Sequence, residues 1–301
     1  MTPHALVIGE ALVDVIADTA HPGGSPLNVA IGLVRLGVPT TLATRIGDDH
    51  HGSLIRAHLA DSGVVLAAGS ITAEPTSSAV AVVDPGSGAA RYDFDVRWSI
   101  PAPEVTGATI VHAGSIAAFL APGGDVVLDA LARARTAGAL ISVDPNIRPA
   151  LIGPRAEASV RAERLIGLSH LVKLSDEDAD WLYPGWTHPR VLAHLRALGC
   201  RVAVITRGAD GYTAADVHGV WSDGVGRAVD VVDTIGAGDS FMAGLLSAVF
   251  GELATRIIQS DLPPGGWRGP LRMGLEAAAI TVQREGADPP RRDEIAAVGA
   301  R

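Results

Sequence analysis

Beyond residue 105 the chain alternates short apolar runs with longer helical patterns, and this alternation limits the folds it can adopt. The apolar runs predict strands over 109–112, 139–143, 171–174 and 202–206. The patterns between and after them predict helices over 125–137, 156–168, 176–182, 190–198, 239–250 and 271–283. Apolar strands that alternate with helices are typical of a parallel sheet covered on both faces. The sequence therefore predicts an α/β core.

The first hundred residues contain further α/β elements and one segment of different character. Residues 5–8 and 40–46 predict strands, and 53–60 predict a helix. Ser25-Pro26 predicts a helix start, with serine as N-cap and proline in the first turn. Within 77–98, two β-rich stretches flank a Pro-Gly-Ser-Gly turn, which predicts an antiparallel hairpin. We expect a small β lid from about 10–22 and 77–98, although an ordinary arm of the main sheet is the alternative.

The composition excludes several classes of protein. Apolar residues make up 48% of the 301 residues, so the chain can bury a large core and is not intrinsically disordered. The net charge is −9 and no block of Lys or Arg occurs, which argues against a nucleic-acid partner. Cys200 is a lone cysteine, and no apolar run is long enough to span a membrane. We therefore expect a cytoplasmic protein with one domain over 1–301, a surface loop over 261–270 and a frayed end over 290–301.

The strongest local signal is the sequence Asp-Thr-Ile-Gly-Ala-Gly-Asp-Ser-Phe at 233–241. It follows the β-rich stretch Val229–Val232 and opens an apolar helix. A glycine-rich turn that enters a helix directs several backbone N–H groups at one point, where anions such as phosphate bind. Asp239 lies in that first turn and is placed to accept a proton from an attacking hydroxyl. The alternative is that Asp233 or Asp239 only caps the helix.

This string resembles the C-terminal signature of the ribokinase-like (PfkB) sugar kinase family. Gly-Gly-Ser-Pro-Leu-Asn-Val-Ala at 23–30 resembles the N-terminal signature of the same family. The sequences Gly-Glu-Ala-Leu-Val-Asp at 9–14 and Asp-Pro-Asn-Ile-Arg-Pro at 144–149 resemble its fructokinase branch. The resemblance extends over roughly 5–290. It implies a three-layer α/β/α sandwich with a mainly parallel central sheet and a small β-rich lid.

The resemblance also implies a reaction and a set of site residues. The reaction is transfer of the ATP γ-phosphate to a primary hydroxyl of a sugar, with Asp239 as general base. The amides of Gly236, Ala237 and Gly238 would form the anion hole. The positions that match the family's sugar site are Asp14, Gly24 and Asn28, although Asn28 could instead cap a helix and Asp14 could be an exposed acid. Arg91 and Arg148 are further candidates for the substrate, with a solvated strand residue and a structural salt bridge as their respective alternatives.

On the nucleotide side, the sequence Thr-Arg-Gly-Ala-Asp-Gly at 206–211 resembles the family's nucleotide loop. We therefore expect Thr206, Arg207, Gly208 and Gly211 to bind the nucleotide, together with Gly236, Gly238 and Ser175. The family's Asn-x-x-Glu region aligns with Ser175 and Asp178, so this chain departs from it at both positions. We expect Mg²⁺ with ATP, held through water by Asp178. The resemblance also suggests a monovalent cation such as K⁺ near Asp233.

The sequence thus predicts an ATP-dependent sugar kinase that acts on fructose. The alternatives are a kinase for ribose, 2-keto-3-deoxygluconate or a nucleoside, and a non-catalytic sensor on the same fold. The motifs cannot separate these substrates, because family members share the phosphate machinery and differ in the sugar pocket. A homodimer formed through the lid is a further expectation from the resemblance.

Overall fold

The computed structural model describes residues 2–16, 19–83, 90–222, 224–263 and 265–299, with the backbone alone at 81–83, 90–92, 220–222 and 296–299. The strands are β1 (His4–Ile8), β2 (Leu12–Ile16), β3 (Thr19–Gly23), β4 (Thr40–Ala43), β5 (Ile46–Gly47), β6 (Val65–Leu66), β7 (Ile71–Thr72), β8 (Ser78–Val83), β9 (Ala90–Asp95), β10 (Ala108–Gly114), β11 (Leu140–Asp144), β12 (Leu171–Ser175), β13 (Val202–Thr206), β14 (Tyr212–Asp216) and β15 (Gly219–Ser222).

The helices are α1 (Ser25–Arg35), α2 (His50–Ser62), α3 (Gly123–Thr136), α4 (Arg155–Leu168), α5 (Asp176–Leu182), α6 (His188–Ala197), α7 (Ala237–Val249), α8 (Glu252–Gln259), α9 (Arg268–Thr281) and α10 (Arg292–Gly299). Short 3₁₀ turns occupy Ile116–Ala118 and Gly208–Asp210. Each helix predicted from the sequence is present, with its ends shifted by a few residues.

A large sheet forms the middle layer of the molecule. Its strand order is β15-β14-β13-β12-β11-β10-β1-β4-β6. The strands from β13 to β6 are parallel, and β14 and β15 add an antiparallel edge. Because β10, β11 and β12 are buried almost throughout, their sequences are continuous apolar runs. The predicted mainly parallel sheet is confirmed.

Alternate residues of the strands enter two separate apolar cores. Leu6 and Ile8 of β1 pack in the core that α3 to α6 cover. Ala5 and Val7 pack in the core that α1, α7, α8 and α9 cover. This alternation follows from the two-residue period of a strand, which directs successive side chains to opposite faces. The result is the three-layer α/β/α sandwich that the resemblance implied.

A second sheet, with strand order β3-β2-β8-β9, forms the lid. β8 and β9 make the predicted hairpin, with Ser78 opposite Asp95 and Val83 opposite Ala90. The predicted turn at 85–88 lies outside the described residues. β2 runs antiparallel to β3 and parallel to β8. The lid therefore combines strands from both predicted segments and is separate from the main sheet, so the alternative of an arm in that sheet is wrong.

Several local predictions fail for identifiable reasons. The stretch Val229–Val232, noted in the sequence only as β-rich, forms no strand; the Val232 N–H donates to Val282 O (2.8 Å) at the end of α9, and both Val231 and Val232 are exposed. The predicted strand 40–46 divides into β4 and β5. The predicted loop at 261–270 ends at Arg268, where α9 begins.

The predicted frayed end is also wrong over 292–299, which forms α10. Ile295 is buried in the core beside α9 and α7, and Arg284 forms an ion pair with Glu294. These contacts hold the helix against the body of the protein.

In the described part of the chain, no single helix is long and apolar enough to cross a membrane. α7 and α8 meet that test only as a pair, and they are bent by 91° at their junction.

Candidate active site

The residues singled out in the sequence gather at the carboxyl edge of the parallel strands. Glu10, Asp144, Ser175 and Thr206 lie at or just beyond the ends of β1, β11, β12 and β13. Ligands of open α/β sheets bind outside this edge. The first turns of α1 and α7 lie at the same edge, because α1 packs against α7.

The glycine-rich turn forms the N-terminus of α7. Gly236 is the N-cap, with a left-handed backbone (φ 75°) and no side-chain cap. The Ala237 N–H donates to Thr234 O (3.2 Å). The N–H groups of Gly236, Gly238 and Asp239 have no acceptor among the described residues. Three unpaired donors at the positive end of a helix form a binding site for an anion. Of the three predicted anion-hole amides, Ala237 alone is engaged within the turn.

Asp239 follows directly in that first turn, and its side chain is held by two donors from α1. Ser25 Oγ donates to its Oδ1 at 2.6 Å, and Asn28 Nδ2 donates to its Oδ2 at 2.8 Å. Asp239 is 7% exposed. The two hydrogen bonds fix the carboxylate in one orientation and leave lone pairs on each oxygen. The carboxylate is therefore placed to accept a proton beside the anion site.

Ser25 corrects one prediction and adds a site residue that the sequence did not reveal. The N-cap of α1 is Gly24, and the Ser25 side chain caps nothing. Its hydroxyl instead binds Asp239, which lies 214 positions later in the chain. A pattern read locally cannot show such a contact. Asn28 likewise bonds Asp239 rather than capping the helix.

Of the predicted sugar residues, Gly24 directly precedes Ser25, and the Asp14 carboxylate lies against Gly23 at the end of β3. Gly24 has φ 116°, and a Cβ there would lie 2.6 Å from Glu10 O, so a side chain does not fit. Asp14 is half-buried on β2, opposite His21 of β3. Burial raises the pKa of the Asp14 carboxyl, and the charge of His21 opposes that shift.

Glu10 is a buried acid that the sequence analysis named only as part of a motif. It is 4% exposed, and its Oε2 accepts from the Ala117 N–H at 3.0 Å. Burial raises the pKa of its carboxyl to about 7, and the charge of Asp239 also raises it. Ser115, which precedes the turn that Glu10 holds, has a positive φ of 54°. A signal was available, since Glu10 lies only two residues after the apolar run of β1.

Lys173 and Asp144 form a buried ion pair between β12 and β11, which the sequence analysis also missed. Nζ lies 2.8 Å from Asp144 Oδ2, with side-chain exposures of 5% and 1%. Burial opposes the charge of Lys173, but the carboxylates of Asp144, Asp178 and Asp239 outweigh it and raise its pKa. Burial raises the pKa of Asp144 to about 6, although Lys173 acts against this shift. Both groups are therefore charged at pH 8.

Four of the predicted nucleotide residues, Thr206, Arg207, Gly208 and Gly211, lie at the end of β13 and in the loop after it. Thr206 is half-buried, and its Oγ1 donates to Leu174 O at 3.3 Å. Arg207 Nη2 donates to Asp210 O at 2.7 Å. Gly211 has φ 79°, and a Cβ there would lie 1.7 Å from Gly224 O. The loop is therefore folded back on itself and packed against residue 224, which precedes the turn of α7.

Ser175 and Asp178 form a capping box at the start of α5. Ser175 Oγ accepts from the Asp178 N–H, and Asp178 Oδ2 accepts from the Ser175 N–H at 3.0 Å. Asp178 Oδ1 accepts from the Ile147 N–H at 2.8 Å. Each carboxylate oxygen of Asp178 thus accepts a hydrogen bond from a backbone N–H group. Each also retains a lone pair that can accept a hydrogen bond from a water molecule. This donor set fits a magnesium ion only through water. Among the described residues no group of three His, Cys, Asp or Glu side chains is placed to hold a metal directly.

The remaining candidates are Arg148, Arg91 and Asp233. Arg148 is exposed, and its Nη1 donates to Ile147 O at 3.0 Å; it forms no ion pair with another described residue. Arg91 lies on β9, and its side chain is outside the described residues. Asp233 accepts from the N–H groups of Ile235 and Gly286 at 3.0 and 2.9 Å, which lowers the pKa of its carboxyl.

Comparison with known proteins places the chain in a family. Residues 3–294 match the model of the pfkB family carbohydrate kinases. A fructokinase of Rhizobium leguminosarum bv. trifolii is 35% identical over 264 residues, which are 81% of this chain and 79% of that protein.

Two solved structures are also similar to this chain. A fructokinase from Vibrio cholerae O395, in a form with fructose, ADP and a calcium ion bound, has a TM-score of 0.81 at 25% identity and covers 98% of both chains. An aminoimidazole riboside kinase from Salmonella enterica, complexed with aminoimidazole riboside and an ATP analogue, has a TM-score of 0.78 at 25% identity; the match covers 98% of this chain and 99% of that one. The chain belongs to the pfkB family of carbohydrate kinases.

Proposed function

We propose that this protein is an ATP-dependent fructokinase, which transfers the γ-phosphate of ATP to a primary hydroxyl of fructose. The family membership supports the reaction class, and the 35% identical fructokinase supports the substrate. One observation carries the proposal. The Asp239 carboxylate, oriented by Ser25 and Asn28, lies in the same helix turn as three N–H groups without an acceptor among the described residues.

This arrangement suits an in-line phosphoryl transfer. Asp239 accepts the proton of the sugar hydroxyl as the oxygen attacks the γ-phosphorus and the bond to ADP breaks. The amides of Gly236 and Gly238 and the dipole of α7 stabilise the charge on the transferring group. Positioning and charge stabilisation supply most of the catalysis in such reactions. Ser25 and Asn28 act by fixing the carboxylate in its productive orientation.

The sugar is expected between the first turn of α1 and the lid. Asp14 and Asn28 offer an acceptor and a donor for neighbouring hydroxyls, and the bare backbone at Gly24 allows close approach. A riboside is the second candidate substrate, because a similar structure holds aminoimidazole riboside. Ribose and 2-keto-3-deoxygluconate remain within the same class. A carboxylated substrate would need a cation, for which Arg148 and Arg91 are the candidates.

The proposed cofactor is Mg²⁺ bound with ATP, where it supplies charge neutralisation of the nucleotide phosphates. Asp178 would hold it through water. A monovalent cation such as K⁺ is proposed near Asp233, whose carboxylate ties the turn of α7 to Gly286. The nucleotide itself would lie over the loop that contains Thr206, Arg207, Gly208 and Gly211.

We also propose that the protein forms a homodimer through the lid and that it acts in the cytoplasm. Three apolar side chains of the lid strands, Ile16, Val80 and Phe94, are 45%, 37% and 42% exposed. Burial of such a surface favours association. Light scattering after size-exclusion chromatography would give the mass, and a monomer at all concentrations would contradict the dimer.

The substrate test is a coupled assay of ADP release with MgATP. The panel contains fructose, ribose, 2-keto-3-deoxygluconate, adenosine and aminoimidazole riboside. Selective turnover of fructose is expected. Turnover of another member alone would overturn the substrate and retain the chemistry, whereas absence of turnover in protein that binds ATP would favour the sensor alternative.

The test of the base compares Asp239→Asn with Glu157→Gln, an exposed acid in the first turn of α4. The Asp239 variant is expected to lose turnover and retain sugar binding, and the Glu157 variant to match the wild type. Full activity of Asp239→Asn would exclude the proposed base.

A further inference from the structure

Lys173 is the only lysine in the chain, and it lies beneath the anion site rather than on the surface. Its side chain leaves β12 on the face that α1 and α7 cover, because its neighbours Val172 and Leu174 pack in the opposite core. A buried lysine is rare and costly unless its charge is paired. Asp144 supplies that pair at 2.8 Å.

The position of the ammonium relative to α7 is the decisive observation. A Cβ on Gly238 would lie 3.0 Å from Lys173 Nζ, and no Asp144 atom lies within 4 Å of that point. The positive end of the ion pair therefore faces the first turn of α7, and its negative end lies farther away. Gly238 is one of the residues whose N–H has no acceptor among the described residues. The absence of a side chain at Gly238 lets the turn approach the ammonium.

The surroundings of Lys173 screen the electrostatic field of its charge only weakly. Lys173 and Asp144 are 4% and 1% exposed, so little water screens them. His112 lies on β10, which is next to the strand of Asp144, and it is neutral at physiological pH because burial and the charge of Lys173 lower its pKa to about 3. Asp144 Oδ1 has no hydrogen-bond partner among the described residues. The pair thus forms a dry, fixed dipole that is directed at the helix turn.

We propose that Lys173 is a positioning residue for phosphoryl transfer, which supplies a fixed positive charge behind the α7 turn while Asp144 holds it in place. It acts through the turn and touches neither substrate. A preorganised charge in a site without water stabilises the negative charge of the transferring group at no cost of reorganisation. The role rests on the proposed function, since it requires phosphate at this turn.

If the ion pair were purely structural, removing Lys173 alone would also lower activity, because Asp144 would be left buried without a partner. The test therefore compares all variants in the same Asp144→Asn background. Asp144→Asn retains an oxygen that accepts from Nζ and leaves the lysine charged. In that background Lys173→Met removes the charge, and Lys173→Gln removes it but retains a hydrogen-bond donor. Replacement of both members of a buried ion pair by neutral groups is often tolerated by the fold. Circular dichroism and thermal unfolding verify the fold of each variant, and calorimetry measures binding of MgATP and of fructose.

We expect Asp144→Asn to retain kcat within roughly tenfold of the wild type, and both double variants to lose a further factor of about 100, the magnitude of one oxyanion-stabilising group. The KM for the sugar should change less than about threefold, because the charge acts on the transition state. Equal kcat in Asp144→Asn and a folded double variant would overturn the proposal. So would failure of both double variants to fold while Lys173→Met alone folds with wild-type kcat.

The activity of the wild type on the sugar panel distinguishes failure of this inference from failure of the proposed function. If it turns over another sugar of the panel, the same comparison uses that sugar, and only the fructose assignment fails. If it turns over none, the function and the role of Lys173 both fail.

Discussion

Asn28 Nδ2 lies 2.8 Å from Asp239 Oδ2, and this contact joins the first turn of α1 to the first turn of α7. Ser25 Oγ reaches the other oxygen of the same carboxylate at 2.6 Å. The two helices therefore act as one unit in presenting Asp239. A carboxylate that accepts from two donors, one on each oxygen, is fixed in orientation.

We expect Ser25→Ala and Asn28→Ala to differ in their kinetics. Ser25→Ala should lower kcat by roughly 10- to 100-fold with little change in KM, because a hydrogen bond to a charged group is worth about 1.5–3 kcal/mol. Asn28→Ala should also raise the KM for fructose, since Asn28 is proposed to bind the sugar. Steady-state kinetics measure both. Ser53→Ala is the control, because Ser53 makes an exposed hydrogen bond in α2. Equal effects of Ser25→Ala and Ser53→Ala would refute the orienting role.

The sequence was sufficient to predict the layers of the fold and to find Asp239. Both depend on local patterns: the apolar runs of β10 to β13 and the glycine-rich turn before α7. It could not show Ser25, because that contact joins residues 214 positions apart. The β-rich composition of Val229–Val232 does not make a strand, because no described strand pairs with this segment. Lys173 and Glu10 were not assigned a role, although a charge within an apolar strand or two residues after its end already suggests a buried ionisable group.

Glu10 gives the stability a specific pH dependence. Its pKa is about 7 in the folded protein against an ordinary value of 4.5, chiefly because of burial. Between these values the folded state retains a proton that the unfolded state has released. The free energy of unfolding therefore falls as the pH rises through this interval. The total loss is on the order of 3 kcal/mol by pH 8.

The variant Glu10→Gln has no carboxyl group to ionise, so it should not show this loss. We expect the stability of Glu10→Gln relative to the wild type to increase by ~2.5 kcal/mol between pH 5 and pH 8. Urea unfolding at the two pH values measures it, with the exposed Glu157→Gln as control. A stability difference that stays constant with pH would show that Glu10 does not titrate in this range.

Asp178 allows the capping role and the proposed magnesium role to be separated. Asp178→Asn loses one of the two acceptors that hold the Ser175 and Ile147 amides, so it should cost about 1–3 kcal/mol of stability. The variant should also need a several-fold higher Mg²⁺ concentration for half-maximal rate. The neutral side-chain amide of Asn is a weaker hydrogen-bond acceptor for metal-bound water than the carboxylate. Urea unfolding and a Mg²⁺ titration measure the two effects.

Asp49 provides a matched control, because its carboxylate also accepts from two backbone N–H groups, those of Gly52 and Thr76, both at 2.8 Å. Asp49→Asn should lose similar stability and leave the Mg²⁺ titration unchanged. If Asp178→Asn behaves in the same way, Asp178 only holds the backbone.

Gly236 has both a positive φ and a close contact with Ala287, and a single substitution can test the two together. It has φ 75°, and a Cβ there would lie 2.6 Å from the Ala287 Cβ. We expect Gly236→Ala to lose more than about 1 kcal/mol of stability and at least tenfold in kcat, because the turn must move away from Ala287 and misplace the Gly238 amide. Gly153→Ala is the control, since Gly153 has φ 81° with nothing within 4 Å of its Cβ position. That variant has the same backbone strain without the clash, so it should lose about 1 kcal/mol and retain full activity. Equal stability losses with unchanged kcat in both variants would show that the close packing of Gly236 on Ala287 does not position the anion site.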